Sequence, residues 1–144
     1  MDPIVVGAFP KNRTKMVAGE ISEFEGTTRA HIRVYTLGVD GGLVPTRQGV
    51  SMPLESVPRV RDAIHRLEEV AGPGRLVGEV DVGHQRIRVG TTLFEEQMYL
   101  DVRRFYERNG RWLPTPKGVM LRPELLPHLV ALVDGLAVEA ARLG

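Results

Sequence analysis

Apolar residues recur at helical spacing in two places. Val57, Val60, Ile64 and Leu67 form the first set, with Arg59, Arg61, Asp62, Arg66 and Glu68 between them. Leu126, Leu129, Val133, Leu136 and Ala140 form the second, at the end of the chain. Each pattern predicts an amphipathic helix that packs one face. Between them the period drops to two. Arg86-Ile87-Arg88-Val89 and the longer Met98–Tyr106 alternate as strands do, with Met98, Leu100 and Val102 on one face and Tyr99, Asp101 and Arg103 on the other. Asn109-Gly110 supplies a tight turn, because its backbone needs positive φ. The strand resumes at Arg111-Trp112-Leu113, and Gly118–Leu121 closes the sheet. Pro123 fits a first helical turn, but Pro127 also lacks a donor, so the full helix is placed near Pro127.

Ala71-Gly72-Pro73-Gly74 breaks the chain at its midpoint, and each half ends in a helix. This symmetry exposes an internal repeat. With Pro45 laid on Pro114, the identities are Pro45/Pro114, Thr46/Thr115, Gly49/Gly118, Val50/Val119, Glu55/Glu124 and Pro58/Pro127. Upstream, Ile32-Arg33-Val34 is laid on Leu100-Asp101-Val102, which sets Tyr35 against Arg103 and leaves Gln48 opposite Lys117. Asp40-Gly41-Gly42 occupies the turn held by Asn109-Gly110 in the second copy. The expected organisation is a first repeat over residues 1–71, a linker and strand lead-in over 72–81, and a second repeat over 82–144. Each repeat is several antiparallel strands followed by one helix.

The 144 residues include no cysteine, which excludes disulfides, thiolate metal sites and thiol nucleophiles. A 42% hydrophobic content is ordinary for a folded chain. The opening Met1-Asp2-Pro3-Ile4-Val5-Val6 lacks the pattern of a signal peptide, so a cytoplasmic protein with no membrane partner is expected. His31, His65, His84 and His128 fall at no ligand spacing, and His65 and His128 align with Asp134 and Arg59, reading as solvated helix-face histidines. Glu68-Glu69 and Glu95-Glu96 read as surface charge, and neither a phosphate loop nor a nucleophile elbow is present. No enzyme activity and no cofactor are expected.

The net charge of +1 hides an uneven distribution. Residues 1–72 carry nine basic and nine acidic side chains, whereas Arg103–Arg122 carries six basic residues against Glu107 alone. Phe105, Tyr106 and Trp112 interleave with these cations. Cations for phosphates and aromatic faces for bases are what a sequence-tolerant single-strand binder needs. The same aromatics read equally as sheet core, Phe24 and Phe94 read as packing residues near strand ends, and Asp101 with Arg103 reads as an exposed ion pair.

The second copy resembles the C-terminal domain of the transcriptional coactivator positive cofactor four. Val82-Gly83-His84-Gln85-Arg86-Ile87-Arg88-Val89 is similar to that family's opening strand, and Tyr99-Leu100-Asp101-Val102-Arg103-Arg104-Phe105-Tyr106 to its longer one. Pro114-Thr115-Pro116-Lys117-Gly118-Val119-Met120-Leu121 resembles its basic lysine–glycine segment, and Pro123-Glu124 its helix start. The resemblance covers about Val82–Leu136 and implies an α+β fold. Each repeat would be a twisted antiparallel four-stranded sheet followed by one helix, and the two repeats would pair as an intramolecular pseudo-dimer. By position it implies DNA contacts from Phe94, Arg103, Tyr106 and Lys117, with Arg104 and Trp112 in the same basic segment. Gln97 stands where the family often has lysine. The first copy offers Arg47, and Phe24 if a two-residue insertion is allowed.

The expected partner is single-stranded DNA or melted duplex, bound mostly through the second half with little sequence preference, together with transcription machinery. A coactivator or DNA-processing accessory role follows from the resemblance. A protein-interaction scaffold that has lost DNA binding, and an RNA binder on the same fold, stand as alternatives. A pseudo-dimer is expected to be a monomer in solution, whereas open, unpaired repeats would expose an apolar face and associate further.

Overall fold

The structure, a computed structural model, describes residues 2–144. The first repeat comprises strands β1 (Ile4–Pro10), β2 (Lys15–Phe24), β3 (Thr27–Leu37) and β4 (Leu43–Pro53), a 3-10 turn at Leu54–Ser56, helix α1 (Val57–Arg66), and a second 3-10 turn at Leu67–Glu69. The second comprises β5 (Leu76–Val82), β6 (Gln85–Phe94), β7 (Gln97–Arg108), β8 (Arg111–Leu121), a 3-10 turn at Pro123–Leu125, and helix α2 (Leu126–Leu143). Each repeat forms its own four-stranded sheet, β1-β2-β3-β4 and β5-β6-β7-β8, with every neighbouring pair antiparallel. The second sheet starts at Leu76, so most of the stretch read as linker and lead-in is its edge strand. Among the described residues, no helix is long and apolar enough to cross a membrane.

Local chemistry places these elements. Asn109 and Gly110 turn at φ 54° and 76°, the positive values such a dipeptide tolerates. Pro58 and Pro127 sit in the first turn of α1 and α2, where a missing N–H costs no helical bond. The Pro-Thr-x-x-Gly identities of the repeat prove to be a bulge. Arg33 pairs with Gly49 while Tyr35 pairs with Pro45, so β4 spends four residues where β3 spends two. Arg103 with Gly118 and Phe105 with Pro114 reproduce this in β7 and β8. The Thr46 hydroxyl donates to the Val34 carbonyl at 2.7 Å and accepts from the Gln48 amide at 3.1 Å. Thr115 repeats both bonds, to the Arg104 carbonyl at 2.7 Å and from the Lys117 amide at 3.1 Å. A β-bulge re-aims the residues it carries, here Gln48 and Lys117. Glycine is required where it ends: at Gly49, φ is 149°, and a Cβ would lie 2.6 Å from the Ile32 carbonyl oxygen.

The strand pairing also corrects the upstream alignment. The hairpin ends Phe24–Thr27 and Phe94–Gln97 are equivalent, which makes the offset in these strands seventy residues with no insertion. Arg33, not Tyr35, therefore stands where Arg103 does. The error was two residues, which leaves every side chain on its correct face and so escapes a test by alternation.

The helices are exchanged between sheets. Helix α1 packs on β5 and β6, and α2 packs on β1 and β2, while the two helices also pack on each other. The buried inner faces of both sheets and both helices merge into one core. Matching glycines admit the incoming helices. A Cβ on Gly78 would come within 2.5 Å of Ala63 Cβ, and one on Gly7 within 3.2 Å of Leu132 Cδ1. Ala63 and Leu132 are equivalent positions, so the same device recurs with a larger key in the first sheet. At the junction of the helices, Asp134 accepts from Arg61 at 2.8 Å and pairs with His65 at 2.6 Å. His65 and Asp134 are also equivalent, so the pseudo-two-fold axis passes between them. His65 is therefore an interhelical partner, and His128 stacks on Phe9 at 5.5 Å between centroids; neither is simply solvated.

Candidate nucleic-acid interface

The sheet faces turned away from the helices line two grooves, each closed by the opposite repeat. In the first groove, of about 510 Å³, Arg29, His31 and Arg33 alternate along β3 as the floor, with Gly49 and Ser51 of β4 beside them. Arg47 lies at the rim, and Arg104, Pro116 and Lys117 arrive from the second repeat. In the second groove, of about 560 Å³, Tyr99 and Arg103 of β7 and Gly118 and Met120 of β8 form the floor. Lys11, Asn12 and Gln48 arrive from the first repeat, and Phe94 and Arg122 complete the wall. The bulge explains the exchange: Lys117 and Gln48 ride on equivalent bulges, and each overhangs the other repeat's sheet.

The electrostatics of the grooves differ. Among the described residues, Arg29, Arg33, Arg47, Arg104 and Lys117 have no carboxylate within salt-bridge distance. Arg29 donates to the Ser51 hydroxyl at 2.8 Å. Arg104 donates to the Ser51 carbonyl across the repeat boundary and to Gln85 at 3.2 Å. Burial, and then the nearby Arg29 charge, pull the Arg104 pKa down. In the second groove, the Arg103 guanidinium donates to Asp101 at 3.1 Å and to the Thr115 carbonyl at 2.8 Å. It lies against Gly118, where a Cβ would come within 2.7 Å of Arg103 Cζ. Burial pushes the Asp101 carboxyl up, against the pull of Arg103. Lys11 is pulled down, first by burial and then by Lys15 and Arg103. At the first floor, burial lowers His31, with Arg33 and Arg29 adding to it, and its Nε2 pairs with the Ser22 hydroxyl at 2.9 Å. Tyr35 is pushed up to about 12 by burial and its bond to Glu20.

The residues read from the sequence are thus divided. Phe94 and Arg103 line the second groove, whereas Arg47, Arg104 and Lys117 line the first. The Asp101–Arg103 pair, expected to be exposed, is instead largely buried, with side chains 20% and 16% accessible. Tyr106 sits three residues from Arg103 along β7 and so faces the opposite side of the sheet, opposite Gln85. Trp112 shares the outer face of the second sheet, where the Arg86 guanidinium stacks 4.1 Å above its ring. Arg88 stacks likewise on Phe105 at 4.8 Å. Glu79 and Asp81 hold Arg86 at 2.8 and 2.7 Å, so this patch is neutralised by its own acids. Phe24 is 69% exposed at its hairpin tip and lies outside both grooves. Sequence reading missed Lys11, Arg29, His31, Arg33 and Tyr99. The first-floor trio was legible, since Arg29, His31 and Arg33 alternate with the buried Ala30, Ile32 and Val34.

Comparisons with known proteins bear on this arrangement. Curated proteins yield no match. A PC4 homolog from Burkholderia pseudomallei is similar in two crystal forms. The orthorhombic form is 32% identical, covers 52% of this chain and 99% of that one, and has a TM-score of 0.40. The tetragonal form is 32% identical over 46% of this chain and 97% of that one, at a TM-score of 0.39. The model of the family described as Transcriptional Coactivator p15 (PC4) matches twice, at residues 11–63 and 84–132, which together exceed half the chain. Both matches run from the strands into the helix of a repeat. The chain belongs to the PC4 family of transcriptional coactivators, with two copies of its domain in tandem.

Proposed function

We propose that the protein binds single-stranded DNA, or the separated strands of a melted duplex, in the two grooves and with little sequence preference, as an accessory to transcription or to DNA processing. The observation that carries the reading is the first groove: five cationic side chains from both repeats converge there with no carboxylate partner among the described residues. Unpaired guanidinium groups at a surface groove are suited to phosphates, and such binding releases condensed counterions. Because each groove draws on both repeats, one chain supplies the complete surface, and the 16.0 kDa monomer is the expected binding species.

Fluorescence anisotropy with a thymine oligonucleotide, its duplex and the matching RNA, at low and moderate salt, tests this. The expected order is single-stranded DNA tightest, with affinity falling steeply as salt rises. No salt-sensitive binding to the single strand overturns the proposal and leaves the interaction scaffold, and tighter RNA binding transfers the site to RNA.

A further inference from the structure

The two grooves occupy equivalent places on equivalent sheets, yet their floors carry different chemistry. The correct register pairs Arg29 with Tyr99, His31 with Asp101 and Arg33 with Arg103. In the first sheet the three positions hold two arginines and a histidine, and neither arginine has a carboxylate within salt-bridge distance. In the second, Asp101 cancels Arg103 at 3.1 Å, and the third position is aromatic. The walls extend the contrast. Lys117 and Arg104 lean into the first groove, whereas the equivalent overhang in the second is the neutral Gln48. Arg122, the other cation of the second groove, has Glu124 4.0 Å away, which leaves Lys11 as its unpaired cation among the described residues. Phe94 stands 55% exposed in the second groove, and its counterpart Phe24 does not line the first.

Resting on the single-strand reading above, the geometry points to a division of labour. The first groove grips the sugar–phosphate backbone, and takes any polyanion of suitable width. The second receives unpaired bases against Phe94 and Tyr99, and sets the preference for single strand over duplex. Phosphate contacts position a nucleic acid without reading its bases, while stacking requires bases that are already free. A chain with identical grooves has no means of separating the two tasks. This one assigns affinity to one face and discrimination to the other.

The test uses the full chain and two variants whose altered side chains are exposed, so that folding is undisturbed: Arg47→Gln with Lys117→Gln, and Phe94→Ala. Each is titrated with a thymine oligonucleotide and with its duplex across a salt series. The first variant is expected to weaken both ligands by a similar factor, and to flatten the single-strand salt dependence by about 1.4 logarithmic units per decade of salt, from about 0.7 for each lost phosphate contact. Phe94→Ala is expected to weaken the single strand about tenfold, as loss of a stacked base does, with the duplex affinity and the salt slope unchanged. Equal losses on both ligands from both variants would overturn the division while leaving single-strand binding in place. So would a cation variant that harms the single strand alone. If the unaltered chain binds no single strand, the parent reading falls, and the division falls with it.

Discussion

The two repeats share their backbone devices and differ in the faces they turn outward. Both bulges are held by the same threonine bonds, both helices start at the same proline, and both sheets admit a helix at an equivalent glycine. The outer faces share little: an unpaired cationic floor stands in one sheet, and a self-neutralised, aromatic one in the other. The difference separates what the fold needs from what the surface is free to change. Backbone geometry has few solutions, because a bulge must satisfy its amides and a crossing helix must find room. A solvated strand face has many.

The comparison can be broken most forcefully at the helix keys. Leu132 is 5% exposed and sits over Gly7 and Gly19, whereas its equivalent, Ala63, sits over Gly78. Leu132→Ala should cost about 3 kcal/mol in chemical denaturation, from lost burial and the cavity left behind. Ala63→Gly should cost about 1 kcal/mol, mostly through helix propensity. Comparable losses would show that the two sheets hold their helices by something other than these keys.

A smaller and symmetrical effect is expected at the bulges. Thr46→Val and Thr115→Val each remove a hydroxyl bonded to a backbone carbonyl and a backbone amide, and each should cost about 1 kcal/mol by the same measurement. Both are expected to weaken duplex binding, because the first bulge carries Arg47 at the rim of the cationic groove and the second carries Lys117 over its floor. Duplex binding left unchanged by both would show that neither bulge aims a cation into that groove.

The smallest effect lies on the pseudo-two-fold axis. The bond to His65, and then the pull of Arg61, hold the Asp134 carboxyl below its ordinary value. A carboxylate depressed by folding stabilises the protein above its unfolded pKa, near 4, and loses that contribution as pH falls through its folded value. Asp134→Asn should therefore reduce stability at neutral pH by less than about 1 kcal/mol, given its exposure to solvent, and by less still near pH 2. Urea midpoints at the two pH values measure the change. An undiminished loss at pH 2 would assign Asp134 a role other than that of a charged partner.

Much of the architecture was legible in the residues. Apolar spacing gave both helices, Asn109-Gly110 marked a turn, and the Pro-Thr-x-x-Gly identities revealed two copies. Their meaning as a bulge was not legible, because two excess residues in a strand leave no mark on composition. The upstream register slipped by two, since alternation repeats every two residues and cannot distinguish such a shift. The helix exchange was hidden for a related reason: an apolar stripe states that a helix is covered, not by which sheet. At the candidate site, Arg103 to Lys117 read as one basic segment. The parity of β7 and the bulge in β8 send its members to different grooves, and Tyr106 to the far side of the sheet.

The exchanged helices also have a consequence for the order in which the chain can close. Helix α1 ends at Arg66 and covers a strand that begins at Leu76, so its docking joins near neighbours. Helix α2 begins at Leu126 and covers a strand that ends at Pro10, so its docking joins the last element of the fold to the first. The entropy of closing the longer loop exceeds that of the shorter by about 2 kcal/mol. The clasp of α2 on β1 is thus the costlier of the two helix dockings in chain entropy. Helix α2 keeps its packing on β2 and α1 whether or not that clasp is closed.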